Sequence, residues 1–475
     1  MYFARALAAQ KRSPVLCKMQ GLTPSLLIIL IALAGCTPEP TRPNVIIFLA
    51  DDAGYADFGF HGNNLYRTPN LDQIGENGVR FTNAYASASV CGPSRAGLLT
   101  GRYQNRFGFE FNLYGMEAGN VRMEVRGLPV AEISIANLMK KAGYATGIVG
   151  KWGLGRHQVF QPSNRGFDEF FGILGDQSPY LPGKAAGVTA SYNNIDRTKL
   201  RYLTDVFGDE AVKFIERHKQ NPFFLFVSFT APHAPLQAKP DYLDQFRKVF
   251  DAGKRAANAA MTRSMDDNVG KVLVKLKQLG LYENTIVIFT NDNGGALTPN
   301  GSSNAPLRGD KGSVFEGGIR VPMLMQWPSM LAKHKAIDFP VSTLDILPTL
   351  LAAAGVSLPA DRQYDGVDLM PYLTGSVEGN PHSTLFWRVN WAAAVRRGDW
   401  KLIRTPSQEY RLFNLNTDLN ETTDVSVKNP EVVKFLKEQL DKWERALPEP
   451  LWQPNIMWKK EVLAKYDHRN LKGVP

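Results

Sequence analysis

The chain has 475 residues, 44% apolar and 21% charged, the balance of a globular protein with room for one large α/β domain and a smaller one. Three cysteines exclude a disulfide scaffold, and no pair of them has metal-ligand spacing. The formal charge of +10 falls to +6 once Arg5, Lys11, Arg12 and Lys18 of the acid-free first 35 residues are set aside. What is left is scattered, so no nucleic-acid-binding arm is expected.

Taken from the N-terminus, the first element is not part of a fold. A basic opening leads into "LLIILIALAGC", an apolar run that is too short for a membrane span and has the pattern of an export signal. Leu33-Ala34-Gly35-Cys36 resembles a bacterial lipobox, so residues 1–35 read as a lipoprotein signal peptide and Cys36 as the lipidated residue. An ordinary signal or a short anchor helix is the alternative. The Pro-rich stretch over 36–43 reads as a tether. Cys17 leaves with the signal, and Cys91 is then the one cysteine of the folded part.

Five short apolar runs follow, each ending in a turn or a polar motif: 44–52, 144–151, 222–233, 285–295 and 321–328. Cys91 stands in a Gly-Pro turn that opens an apparent helix. Helical periodicity covers 130–142, 261–279 and 342–354, the last with Ser342 as its cap. Strands alternating with helices predict an α/β fold, a large mostly parallel sheet sandwiched by helices, over 44–375. Residues 376–475 read as a smaller α+β subdomain: short antiparallel strands, then a helix over 430–446.

Open parallel sheets bind ligands at the carboxyl ends of their strands. Asp51 and Asp52 end the first run, Lys151 the second, His233 the third, and Asp292-Asn293 the fourth. Singly, each has a structural reading: a cap, a turn, or a hairpin at "NDNGG". Their shared location is what marks them. Asp51, Asp52, Asp292 and Asn293 offer oxygen ligands, which selects a hard divalent cation, Ca²⁺ in preference to Mg²⁺. Arg95, Lys151 and Lys311 add positive charge, and a metal with three cations suits a sulfate or phosphate ester.

The constellation resembles the type I, formylglycine-dependent sulfatases of the alkaline phosphatase superfamily. "CGPSRAGLLTG" (91–101) matches that family's CxPSRxxxLTG signature at every fixed position, and "GYATGIVGKW" (143–152) matches its second signature as far as Trp152. The resemblance implies that a maturation enzyme, reading Pro93 and Arg95, converts Cys91 to formylglycine, whose hydrate attacks sulfur. It implies that Asp51, Asp52, Asp292 and Asn293 hold the metal together with residue 91. Arg95 would steady the formylglycine, Lys151 and Lys311 would bind sulfate oxygens, and His233 with Lys311 would protonate the leaving alcohol.

The chain departs from the family at "GKWGLG", where Gly153 takes the place of a histidine that contacts the diol; His157 is the candidate to replace it. The expected activity is removal of sulfate from a sulfated carbohydrate by an exported enzyme, lipid-anchored in the bacterial cell envelope, with no nucleic-acid partner. A formylglycine-dependent phosphodiester or phosphonate monoester hydrolase is the rival enzyme, and a non-catalytic lipid-anchored glycan-binding homologue the rival from another class. Segments 103–130 and 155–205 are expected at the pocket mouth, with Arg106, Tyr114, Arg122 and Tyr180 as sugar contacts.

Overall fold

Val45, Ile47 and Leu49 face one side of strand β1 (Asn44–Ala50), and Ile46, Phe48 and Ala50 face the other; all six are fully buried. A strand with two apolar faces belongs in the middle of a sheet covered on both sides, and β1 is there. The computed structural model describes residues 42–113, 126–182, 188–190, 194–195, 200–250, 253–389, 391–454 and 456–466. Residues 1–35, expected to be a signal, and Cys36, Tyr114 and Arg122 lie outside the described residues. Among the described residues no helix is long and apolar enough to cross a membrane.

Strands are numbered along the chain. β2 (Val79–Phe81), β3 (Ala84–Tyr85), β4 (Ala145–Lys151), β5 (Glu169–Ile173), β6 (Val188–Ala190) and β7 (Asn194–Ile195) precede β8 (Phe223–Ser228), β9 (Thr285–Asn291), β10 (Met323–Gln326), β11 (Lys335–Ile337) and β12 (Val341–Ser342). Ten of them form one sheet in the order β11-β2-β10-β9-β1-β8-β4-β5-β6-β7, while β3 and β12 pair separately. The central run β9-β1-β8-β4-β5 is parallel throughout, so its carboxyl ends share one edge. The run 321–328 joins this sheet as β10 but lies antiparallel to β9 and β2. An apolar run carries no record of its direction.

Helices Ile135–Lys141 and Ile346–Ala353 cover one face, and Pro69–Glu76, Leu203–His218 and Lys254–Gln278 the other. Two differ in extent from their periodicity. The helix expected over 130–142 starts only after Ser134, whose hydroxyl accepts from Asn137 N at 3.2 Å and fixes the N-terminus. The helix expected from 261 starts at Lys254, because its first turns bury Ala256, Ala259 and Ala260 instead of large side chains. Ser342 caps as expected, accepting from Leu344 N at 3.2 Å.

β13 (Leu385–Val389), β14 (Ala392–Arg397), β15 (Trp400–Arg404) and β16 (Tyr410–Asn414) form an antiparallel meander. Helix Pro430–Arg445 lies on it, with Trp443 stacked on Phe386 at 5.1 Å between ring centroids. The other face shares a core with the large domain: Trp387, Ile403 and Phe413 pack with Tyr85, Val314, Phe315 and Ile319. Beside that core Lys401 is fully buried between Glu316 and Glu421, 2.8 Å from each. Removing one partner of such a triad leaves an uncompensated charge, worth about 3–5 kcal/mol.

Candidate active site

Parallel pairing of β9, β1, β8 and β4 sets Asp292-Asn293, Asp51-Asp52 and Lys151 along one edge, and the segment after β8 brings His233. Asp51 N donates to Ala231 O at 3.1 Å and Asp292 N to Ala50 O at 3.2 Å, so the three strand ends stay bonded to one another beyond the sheet. Asp52 takes φ +63°, which turns its carboxylate back over the edge; Asn300 Nδ2 holds its carbonyl at 2.9 Å. The "DNGG" and "EGG" turns touch: Gly294 N donates to Gly318 O at 2.9 Å, and a Cβ on Gly294 would lie 1.8 Å from Gly317 O. No other residue fits there.

Cys91 is the first residue of a buried helix, Cys91–Thr100, beneath these acids. Its Sγ lies 3.7 Å from Asp51 Oδ1 and 3.9 Å from Asp52 Oδ1, and Lys311 Nζ donates to it at 3.1 Å. Burial pushes the thiol well above its ordinary range despite Lys151 and Lys311, which disfavours the thiolate. One turn on, Arg95 reaches Asp292 Oδ2 through Nε (3.0 Å) and a terminal nitrogen (2.9 Å), and Ser228 Oγ at 2.5 Å. Ser228 in turn donates to Lys151 O at 2.7 Å.

Charge is closely matched. Lys151 Nζ sits 2.6 Å from Asp51 Oδ2 and Lys311 Nζ 2.8 Å from Asp52. Burial alone would raise both carboxyls. Lys151 and its neighbours overcome that at Asp51, and Lys311 with His233 at Asp52, so both are held below the usual range. Asp292 goes the other way, pushed up to about 7 by burial and by Asp51 against the pull of Arg95. Asn293 Nδ2 donates to Asp52 Oδ1 at 2.8 Å, yet its Oδ1 is buried with no hydrogen-bond partner. Ligand atoms of Asp51, Asp52, Cys91 and His233 lie within 4.8 Å of one another. A hard divalent cation fits this set, since it would satisfy the orphaned amide oxygen and draw Asp292 back to its ionised form.

His233 is anchored by its ring, Nδ1 donating to Ala234 O at 2.7 Å, which leaves Nε2 facing Asp52 Oδ2 at 3.5 Å. Its backbone carbonyl accepts from Tyr180 OH at 2.9 Å. Tyr180 is therefore not the expected sugar contact: it is buried, bonded also to Thr230 O and stacked on Tyr202. Nor is Arg106, which is locked to Asp365 at 2.6 and 2.7 Å. His157 is not brought to the site. It is exposed at the start of the turn Gln158–Phe160, with its ring edge on Phe160. Ser228, Asn300 and Asn112, whose Oδ1 accepts from Gly92 N at 2.9 Å, have structural roles that no motif signalled.

Comparison with known proteins follows the same outline. The Sulfatase family model matches residues 43–356, and the model for the C-terminal part of N-sulphoglucosamine sulphohydrolase matches 309–446. N-acetylgalactosamine-6-sulfatase of Mus musculus is 36% identical over 84% of this chain and 80% of its own length. Steryl-sulfatase of Mus musculus is 32% identical over 81% and 73%. Among solved structures, Ps i-CgsB in complex with k-i-k-neocarrahexaose superposes with a TM-score of 0.81 at 33% identity, covering 91% of this chain and all of that one.

Proposed function

Since the chain belongs to the sulfatase family, within the alkaline phosphatase superfamily, and is a sulfuric ester hydrolase, we propose that it removes sulfate from a sulfated carbohydrate, with formylglycine derived from Cys91 as nucleophile. The observation that carries this reading is the placement of Cys91: buried, and ringed by Asp51, Asp52 and Lys311 at the start of a helix. A sugar substrate is supported by relatives named for an amino-sugar sulfate and by the neighbour bound to a carrageenan-type oligosaccharide.

Asp51, Asp52, Asp292 and Asn293, with residue 91, would hold the divalent cation, Ca²⁺ in preference to Mg²⁺. When bound, the cation supplies fixed positive charge that favours an anionic nucleophile and the sulfate oxygens. One hydroxyl of the hydrated aldehyde would attack sulfur as the bond to the sugar oxygen breaks, and the second would then expel sulfate and restore the aldehyde. Lys151 and Lys311 neutralise the sulfate oxygens, and Arg95, tied to Asp292 and Ser228, fixes the first turn of the helix. His233 gives a proton from Nε2 to the departing sugar oxygen, its Nδ1–H held on Ala234 O throughout. The apolar run ending at Cys36 supports export and anchoring in a bacterial cell envelope through a lipid on that residue.

The test is chemical. Trypsin should release Phe81 to Arg95 as one peptide, because Arg80 and Arg95 bound it. From protein co-expressed with the maturation enzyme, this peptide should have the mass of formylglycine at position 91, and Cys91→Ser protein should be inactive. A fully active preparation in which the peptide alkylates quantitatively as a thiol would defeat the proposal.

A further inference from the structure

A fourth carboxylate stands at the site. β5 ends at Ile173, and the chain stays bonded to the end of β4: Trp152 N donates to Ile173 O at 2.9 Å and Gly153 N to Leu174 O at 3.3 Å. That pairing brings Asp176 beside Gly153. A Cβ built on Gly153 would lie 3.5 Å from Lys151 Cε, 3.6 Å from Asp176 Oδ1 and 3.8 Å from Arg95 Cδ. Gly153 takes φ +72°, where a side chain is disfavoured, so the chain leaves a slot bordered by Lys151, Arg95 and Asp176.

Asp176 is unlike the other acids of the site. Asp51, Asp52 and Asp292 are buried and paired with Lys151, Lys311 and Arg95. Asp176 is half-buried and, among the described residues, makes no hydrogen bond or ion pair. Burial raises its carboxyl against the attraction of Lys151, His233 and Lys311, so it feels each of the side chains assigned above to the sulfate and the leaving oxygen. A carboxylate is an acceptor with no donor to offer an anion. Beside a bound sulfate ester its natural partner is an uncharged hydroxyl, and a second sulfate in that place would meet like charge.

We propose that Asp176 is a specificity-determining residue: it accepts a hydrogen bond from a free sugar hydroxyl next to the scissile sulfate and rejects sugars sulfated at that neighbouring position. The proposal rests on the sulfatase reading above. The experiment measures inhibition of 4-nitrophenyl sulfate hydrolysis by N-acetylgalactosamine 6-sulfate and by N-acetylgalactosamine 4,6-disulfate, in wild type, Asp176→Asn and Asp176→Lys. A hydrogen bond to a charged acceptor is worth roughly 10–100-fold. The wild type should therefore bind the monosulfate at least about tenfold tighter, Asp176→Asn should bring the two within a few-fold, and Asp176→Lys should favour the disulfate.

Each ratio is taken on one protein, so a loss of folded material cancels. An unchanged ratio in Asp176→Asn, a wild type that prefers the disulfate, or inhibition by neither sugar would overturn the proposal. An equal fall in nitrophenyl sulfate turnover with the ratio intact would also overturn it, by placing Asp176 in the chemistry. A wild type that carries formylglycine yet hydrolyses neither nitrophenyl sulfate nor a sulfated sugar would instead defeat the proposed function.

Discussion

At His233 the two ring nitrogens have separate tasks. Nδ1 is spent on Ala234 O, and Tyr180 holds the carbonyl of His233 itself, so Nε2 keeps its direction whatever the substrate does. A sugar alkoxide is a poor leaving group and needs a proton as the S–O bond breaks, while a nitrophenolate leaves without one. General acid assistance is worth roughly 10²–10⁴ in rate where it is needed. His233→Ala should lower turnover of a sulfated sugar by that order and turnover of nitrophenyl sulfate far less. Lys311→Ala should lower both, since every substrate presents the same sulfate oxygens. Equal losses on the two substrates for His233→Ala would mean that this histidine serves the sulfate or the metal.

Between residue and domain, Lys465 and Tyr466, just after helix Ile456–Ala464, hold the segment that carries Lys311. Lys465 Nζ donates to Asp310 Oδ1 at 2.8 Å and to Lys311 O at 2.5 Å. The Tyr466 hydroxyl accepts from Val314 N at 2.7 Å, and its ring stacks on Phe315 at 5.4 Å. Val314 and Phe315 are buried, so losing the hydroxyl strands a backbone N–H away from water. Tyr466→Phe keeps the ring and should cost about 1–3 kcal/mol of stability, read as a fall in the urea midpoint with an unchanged slope. A midpoint equal to wild type would show that Val314 N–H finds another acceptor.

For the molecule as a whole, the approach to the small sheet is tied back to the large domain by a titratable contact. His382 Nε2 lies 2.8 Å from Asp345 Oδ1, at the start of helix Ile346–Ala353, and Asp345 Oδ1 also accepts from Val367 N at 2.9 Å. Burial opposes the imidazolium, but Asp345 outweighs it and raises His382 above its ordinary 6.5. A raised basic group contributes stability that is fully present below its unfolded value and is lost as pH rises through its folded value. The Tm difference between wild type and His382→Gln should therefore be largest in mild acid and shrink as pH rises past neutrality. A difference that grows toward alkaline pH would reverse the assignment.

The sequence by itself determined the parallel centre of the sheet and the residues gathered at its edge. Buried strands leave continuous apolar runs, and the polar residues that end them are placed by the run and not by distant packing; Asp51, Lys151 and Asp292 were legible for that reason. The cysteine signature was legible because its fixed residues are close together in the chain. Only the tertiary structure decided that β10 runs antiparallel, because hydrogen bonding to β9 and β2 sets direction and side-chain pattern does not. It also sent Tyr180 inward and Arg106 onto Asp365, and left His157 in solvent. Ser228 and Asp176 are ordinary polar residues in their local sequence. They matter because the ends of β8 and β5 lie beside that of β4, and that neighbourhood exists only after the sheet has formed.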